Sequence, residues 1–337
     1  MAFDADLPSE PLTQGLGRWV DRFRKDLELI DDLDPALLKQ PGGIAVSGGP
    51  DSMALMWLMY RIRHGGVRVV SLDHKLRPES AEEVRRVAEQ ARLFGLPHDI
   101  LMAEWPDGPP TANIQDEARK VRYHALARWA AEHDIAWIMT AHHADDQAET
   151  MVMRLVRGSG LSGLSGIRRV RRAGPAMLVR PLLDWRKAEL RQLCEEAKIP
   201  VILDPSNEDE RYDRTRMRNL LGQPGMPDAV GLAATADRLA GADEALAWAT
   251  DQVVRTRCSW PGDGCRFDVA DLPDELVRRA LVKIVAHFGG EVRGQVAHRA
   301  MLAARRGEVV TLGAVQLRPG ETWLLRKLDT ESSPITA

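Results

Sequence analysis

The first half of the chain alternates between short apolar runs and longer segments of helical periodicity, and this alternation restricts the fold more than any other feature. Runs of strand length occupy Ile44 to Val46, Val67 to Leu72, Asp99 to Ala103, Ala136 to Thr140 and Met177 to Leu182. Between most of them, Ser52 to His64, Glu79 to Gly95, Gln115 to His133 and Asp145 to Arg157 place apolar residues at steps of three and four, with Gly65 and Gly95 as stops. Such an order predicts an α/β fold, a doubly wound parallel sheet with helices on both faces and ligands at the carboxyl ends of its strands. A further helix is expected ahead of the sheet, since Leu16, Val20, Phe23 and Leu27 share one face, and Pro41 with its two following glycines leads into the first strand.

That first strand runs into Ser47-Gly48-Gly49-Pro50-Asp51-Ser52 and then directly into a helix-like stretch. Gly48 and Gly49 can take positive φ and leave room for a ligand, so backbone N–H groups and the positive helix end can converge on an anion. A Walker lysine is missing, and Asp51 stands where a carboxylate would repel bare phosphate unless a magnesium ion lay between them. Nucleotide chemistry is the leading reading, against a plain tight turn after a strand.

Other polar clusters fall at the same predicted sheet edge. Asp73 and His74 follow the second strand and suit either adenosine contacts or loop hydrogen bonds. Asn113, Glu117, Arg119 and Arg122 lie on the next helical segment, either as a solvated face or, for the two arginines, as paired cations. Thr140 to Thr150 gathers His142, His143, Asp145, Asp146 and Glu149 where the fourth strand meets a helix, with Asp146 and Glu149 one turn apart on one face. This block is not H-E-x-x-H; it fits a metal site or a cationic substrate, and capping by Asp145 with surface charge is the bland alternative. Arg157 to Ile167 is so rich in glycine that a mobile loop over the site is expected. Arg180 follows on the fifth strand, and Asp204-Pro-Ser-Asn207 introduces Arg211, Arg214, Arg216 and Arg218, which either reach RNA phosphate or pair with Glu208, Asp209 and Glu210.

Bulk properties narrow the classes. The 337 residues allow two domains, and 44% hydrophobic content allows a sizeable core. No run of about 18 apolar residues is present, and the acidic N-terminus is unlike a signal peptide, so a cytoplasmic protein without membrane partners is expected. Cys194, Cys258 and Cys265 form no C-x-x-C pair, which argues against a disulfide framework or structural zinc. A net charge of -3 excludes a general nucleic-acid coat, yet Arg154 to Arg186 holds eight arginines against one acidic residue, Asp184. Gly222 to Pro227 reads as a linker, dividing the chain into residues 1–222 and a smaller domain of residues 228–327, α+β or mainly helical, with helices at Val230 to Val254 and Asp274 to Phe288 and short strands from Val309 to Leu325.

The Ser47 to Ser52 turn resembles the PP-loop of the ATP pyrophosphatase superfamily. Taken with Asp73-His-Lys-Leu-Arg77, Asn113 to Tyr123, Thr140 to Thr150, Arg157 to Ile167 and Asp204 to Arg218, the chain from Ile44 to Leu221 resembles the tRNA(Ile)-lysidine synthase family. The resemblance implies a Rossmann-like PP-loop ATPase domain, ATP and Mg2+ as cofactors, and free L-lysine and a tRNA(Ile) with a CAU anticodon as partners, with a homodimer as the assembly considered. It also implies roles: Ser47, Gly48, Gly49, Pro50, Asp51, Ser52, Asp73 and His74 for the nucleotide, Asp51 for the metal, Asp146 and Glu149 for lysine, and Arg122 and His142 for the adenylate or departing AMP. Arg157, Arg180, Arg214, Arg216 and Arg218 are the expected tRNA contacts. Lys75 departs from the glycine of the Asp-His-Gly-Leu-Arg form, Met217 to Leu221 is a loose ending of the arginine segment, and the chain resembles the family's short form. Three competitors are a thiolation enzyme, which would need paired or cluster-ligating cysteines, a small-metabolite amidotransferase-type synthetase, with no use for the arginine segment, and a noncatalytic RNA-binding protein, which the intact Asp51 disfavours.

Overall fold

Buried tryptophans dictate where the first strand can run. A Cβ on Gly42 would lie 2.0 Å from the Trp137 ring, and one on Gly43 would lie 2.6 Å from the Trp129 ring. The two glycines expected to precede the strand are therefore inside it, and β1 spans Gly42–Ala45. Only residues without side chains fit between those rings.

The structure, a computed structural model, describes residues 14–62, 66–75, 79–105, 108, 110, 114–202 and 213–328, with the backbone alone at 14, 115 and 213–215. In chain order, α1 (Gln14–Leu33) and β1 are followed by α2 (Pro50–Ile62), β2 (Val67–Asp73), α3 (Ser80–Leu93), β3 (His98–Met102), α4 (Ile114–Glu132), β4 (Trp137–Met139), α5 (Ala144–Val156) and α6 (Leu161–Leu164). Next come β5 (Val170–Ala173), β6 (Ala176–Val179), α7 (Lys187–Glu196), α8 (Asp213–Leu221) and α9 (Ala229–Arg257). The chain forms two compact units, Met1–Ala240 and Gly241–Ala337. Their division falls inside α9, whereas Gly222 to Pro227 makes the turn before it.

The sheet of the first unit has the order β3-β2-β1-β4-β6-β5. Ile44 pairs with Val69 on one side and Met139 on the other, both in parallel. Connections run outward from β1 in both directions, so the crevice between the carboxyl ends of β1 and β4 is the topological switch point where such sheets bind ligands. On one face Val20, Phe23, Leu27 and Ile30 of α1 are fully buried with Ile44, Val69 and the wholly apolar side of α2; on the other Leu126 and Trp129 of α4 cover Val70, Ile138 and Leu178. The antiparallel edge strand β5 escaped the sequence reading because Arg171 and Arg172 interrupt its alternation, as charges on edge strands commonly do.

In the second unit β7 (Cys258–Ser259), β8 (Gly264–Phe267), β9 (Val310–Leu312), β10 (Val315–Arg318) and β11 (Trp323–Lys327) form an antiparallel sheet in the order β7-β8-β11-β10-β9. Its apolar side packs on α10 (Asp274–His287) and α11 (Gly294–Arg305), with Phe267, Leu281, Met301, Leu317 and Leu325 fully buried. The unit is thus α+β, and a mainly helical description leaves out its five-stranded sheet. The short strands expected from Val309 to Leu325 correspond to β9, β10 and β11, whereas β7 and β8, two and four residues long, are too short for period-two alternation to register.

Candidate active site

Ser52 organises the turn that leaves β1. Its Oγ accepts a hydrogen bond from Ser47 N at 3.1 Å and donates to Gly49 O at 3.0 Å. Gly48 has φ +88°, and a Cβ there would meet Ile202 Cδ1 at 2.6 Å, so the left-handed turn and the close approach both require glycine. Above Gly49, in contrast, a Cβ would meet nothing nearer than Ser47 Oγ at 3.9 Å. The turn is open on that side and leads into the N-terminus of α2 at Pro50, the residue best suited to a first helical position. Cys194 Sγ donates to Pro50 O at 3.3 Å, and burial with the Asp51 charge pushes its thiol up to about 12, so it packs the helix and offers no thiolate.

Asp51, in the first turn of α2, faces the beginning of α5. Its Oδ2 is 3.5 Å from His143 Nε2, while its Oδ1 is buried without a hydrogen-bond partner among the described residues. His143 is only 2% exposed and caps α5 through a reciprocal pair: Asp146 N donates to His143 Nδ1 at 3.4 Å, and His143 N donates to Asp146 Oδ2 at 3.1 Å. The capping that the bland alternative gave to Asp145 is performed by His143, and Asp145 instead accepts from Lys187 N at 2.8 Å and faces Arg186 Nη2 at 3.4 Å. Burial disfavours a charged His143 imidazole, but Asp146, Asp51 and Asp145 outweigh it and hold its pKa above the usual histidine range. His142 sits beside this cluster with Nδ1 2.9 Å from Thr140 Oγ1.

Glu149 lies one turn beyond Asp146 and is 1% exposed. Arg218 of α8 donates from Nε to Glu149 Oε1 at 2.8 Å. Burial works against the guanidinium's charge, yet Glu149, Asp146 and Asp51 more than compensate and raise its pKa. A carboxylate cluster with the Arg218 guanidinium in contact is thus built from α2, α5 and α8. Among the described residues no three His, Cys, Asp or Glu side chains converge as a metal cage. A hard cation beside Asp51 Oδ1 would complete its shell with phosphate oxygens and water, as magnesium commonly does.

The second strand's end carries a separate pair. Asp73 is buried and its Oδ1 accepts from Lys75 N at 2.8 Å and Ser80 Oγ at 2.5 Å, the loop-bonding role the sequence left open. His74 Nε2 is 3.2 Å from Arg122 Nη2, and burial together with that guanidinium brings the imidazole down to about 4, so it is neutral at physiological pH. Arg77, Asn113 and Asp204 to Arg211 lie outside the described residues, as does the side chain of Arg214. Arg157 and Arg216 are exposed.

Arginines collect around Tyr123 on α4. Arg119 lies 5.0 Å and Arg171 5.6 Å from the ring centre. Arg180, 2% exposed, donates to Arg168 O at 2.6 Å from beneath. Burial and then the charges of Arg119 and Arg168 lower the pKa of Arg154; burial lowers that of Arg180, and its interaction with Tyr123 offsets this only in part. Arg154 also donates to Gly163 O at 2.7 Å and Gly166 O at 3.0 Å, and Gln147 bonds both the N–H and the carbonyl of Ile167. The glycine-rich segment expected to be a mobile loop is strapped to α5 and contains the helical turn α6. Glycine serves contact there: a Cβ on Gly166, at φ +66°, would lie 2.3 Å from Gln147 Oε1.

Strand order, glycine turn and switch-point carboxylates together define a PP-loop protein, and residues 25–224 match the PP-loop domain family. A tRNA(Ile)-lysidine synthase of Novosphingobium aromaticivorans is 41% identical over 311 residues, covering 90% of this chain and 91% of that protein; one of Zymomonas mobilis is 36% identical over 308 residues, covering 88% and 93%. The chain belongs to the tRNA(Ile)-lysidine synthase family. Its fold is shared with the U34-tRNA thiolase NcsA of Methanococcus maripaludis, at TM-score 0.54 and 15% identity over 67% of this chain and 80% of that one.

The structure brings Asp51, Asp146 and Glu149, singled out from the sequence, into one cluster, and adds His143 as the α5 cap and Arg186 beside Asp145, placements that the sequence reading did not give. A histidine directly before an Asp-Asp helix start was the available signal, since N-cap residues face the preceding strand end. The preference given to His142 rested on resemblance.

Proposed function

We propose that this chain, an ATP-dependent ligase of tRNA modification, forms lysidine at the first anticodon cytidine of tRNA(Ile) bearing CAU. The observation that carries the reading is the meeting of a glycine anion cradle at the start of α2 with the half-buried Asp146 and the buried Glu149 in the first turns of α5, in a chain of this family. In the first step O2 of the cytosine attacks the α-phosphorus of ATP and pyrophosphate leaves into the Ser47 to Ser52 cradle. In the second, the ε-amine of lysine attacks C2, the C2–O2 bond breaks, and AMP departs with the oxygen.

The chain's own groups fit these demands. Asp51, with one buried oxygen lacking a hydrogen-bond partner among the described residues, would hold Mg2+, which would neutralise phosphate charge. Free lysine has an amine pKa of ~10.4 and must lose a proton before attack. Asp146 and Glu149 would hold the ammonium, and a carboxylate within hydrogen-bond reach of it can then accept its proton. His142 and Arg122 would face charge on the adenylate, Arg122 with the neutral His74 as its neighbour. The exposed Arg157, Arg216 and the Arg119–Arg171 group would meet RNA phosphate, while Arg180, being buried, would support that surface from below. No helix among the described residues is long and apolar enough to cross a membrane. The substrate assigns the enzyme to the cytoplasm, and light scattering tests the homodimer.

The decisive assay supplies radiolabelled lysine and ATP with either tRNA(Ile) of CAU anticodon or a methionine tRNA. Label in the isoleucine tRNA alone is expected, with Asp51→Ala and Glu149→Ala losing on the order of 100-fold in rate or more. Pyrophosphate release that ignores tRNA would overturn the reading. A thiolation activity finds little support, because Cys194 is held far from its thiolate form and Cys265 is buried.

A further inference from the structure

The geometry points to Arg218 as an internal occupant of the lysine subsite, which a substrate phosphate must draw away before lysine can bind. This inference rests on the assignment of Asp146 and Glu149 to the lysine ammonium. Glu149 is 1% exposed, and a carboxylate so buried requires a cationic or hydrogen-bonding partner. That partner already exists within the chain, since Arg218 Nε sits 2.8 Å from Glu149 Oε1. The same guanidinium lies within the electrostatic reach of Asp146 and Asp51, while Asp145 has Arg186 as its partner.

Lysine entering this cluster would bring a second cation against the first. Like charges in contact within a partly buried site repel strongly, so the two occupants are close to mutually exclusive. Arg218 can leave where Glu149 cannot: its side chain is 36% exposed, against 2% for Glu149, and it stands in the last turn of α8 beside the exposed Arg216. A planar guanidinium binds phosphate oxygens in bidentate fashion, and the open side of the Gly49 turn is where a nucleotide phosphate is expected. A phosphate, from ATP or from the RNA backbone, therefore competes for Arg218 and frees Glu149. The outcome is an order of events in which the amine is admitted after the phosphate-bearing substrates. Until then the apparent lysine affinity is reduced by the fraction of molecules in which Arg218 is withdrawn.

Equilibrium dialysis of radiolabelled lysine tests this with the full chain in four arms: alone, with Mg2+ and a non-hydrolysable ATP analogue, with tRNA(Ile), and with both. Lysine binding about tenfold tighter in at least one phosphate-bearing arm is expected, and the arm identifies the source. Arg218→Ala, checked for an unchanged melting curve, should bind lysine alone as tightly as the wild type does in its best arm. Arg218→Gln serves if the alanine variant does not fold. Equal lysine affinity in all four wild-type arms overturns the inference, as does an Arg218 variant that binds lysine alone no tighter than wild type. Absence of lysine binding in every arm, with no lysine incorporated into tRNA(Ile), overturns the functional reading and this inference with it; retained incorporation confines the failure to Arg218.

Discussion

His143 Nε2 stands 3.5 Å from Asp51 Oδ2 and also 3.5 Å from Asp146 Oδ2, so one buried imidazole links the first turn of α2 to the first turn of α5. The glycine turn and the acidic helix face are thereby held in one register across the switch point. His143→Ala removes both the link and the α5 cap and is expected to lower stability by about 1 kcal/mol. His143→Asn can keep the cap but carries no charge. Because the folded-state pKa of His143 is raised, its imidazolium adds stability that is complete below about pH 6.5 and fades as pH rises through the higher folded value; the charged ring gives up the Nδ1 acceptor of the α5 cap and acts through the carboxylates alone, whereas the neutral ring caps. The wild type should therefore exceed His143→Asn in melting temperature at pH 6 by more than at pH 9; a constant gap would refute the ionic link.

Asp26 offers a test of burial in the opposite charge sense. It is 7% exposed, accepts a hydrogen bond from Trp185 Nε1 at 2.6 Å, and burial lifts its pKa from 3.8 to about 6. A carboxyl group with a raised folded-state pKa stabilises the fold below about pH 3.8 and loses that contribution as pH passes 6. Asp26→Asn, which retains an acceptor for Trp185, is expected to stabilise the protein by roughly 2 kcal/mol at pH 8 and hardly at all at pH 4. Urea denaturation at the two pH values measures the difference.

Lys75 occupies a left-handed conformation, φ +52°, which favours glycine. A side chain there costs about 1 kcal/mol of local strain. Lys75→Gly should raise stability by about 0.5 kcal/mol once the greater freedom of the unfolded glycine chain is counted. A fall in stability would mean that the lysine side chain contributes a contact of its own.

Binding of tRNA should weaken linearly with the logarithm of salt concentration. Arg171→Ala, on the exposed edge strand β5, is expected to reduce that slope by about one. Arg180→Ala, beneath it, should instead lower the melting temperature, because its carbonyl partner Arg168 O loses a buried donor. A slope unchanged by Arg171→Ala would remove this surface from the RNA interface.

Much of this was legible in the sequence where local periodicity and burial agree. The faces of α1 and α2, the five parallel strands and the turn at Ser47 to Ser52 follow from patterns that repeat within a dozen residues. What escaped was set by distant partners. Gly42 and Gly43 belong to β1 because Trp137 and Trp129 leave no room for side chains, and the glycines near Gly166 are ordered because Gln147 and Arg154 reach across to them. α11 hid behind alanines, Ala297, Ala300, Ala303 and Ala304, whose small side chains give weak periodicity although they pack a core. His143 could be distinguished from His142 only once α5 had a defined first residue.

The placement of β1 between β2 and β4 also bears on how the protein is made. Gly42 pairs with Trp137, about 95 residues later in the chain. A nascent chain that has emerged from the ribosome only as far as α4 already contains the entire glycine turn, yet β1 has an exposed edge and Asp51 faces no histidine. Nucleotide binding during translation should switch on abruptly once α5 has been extruded, and stalled chains ending on either side of it would differ in kind.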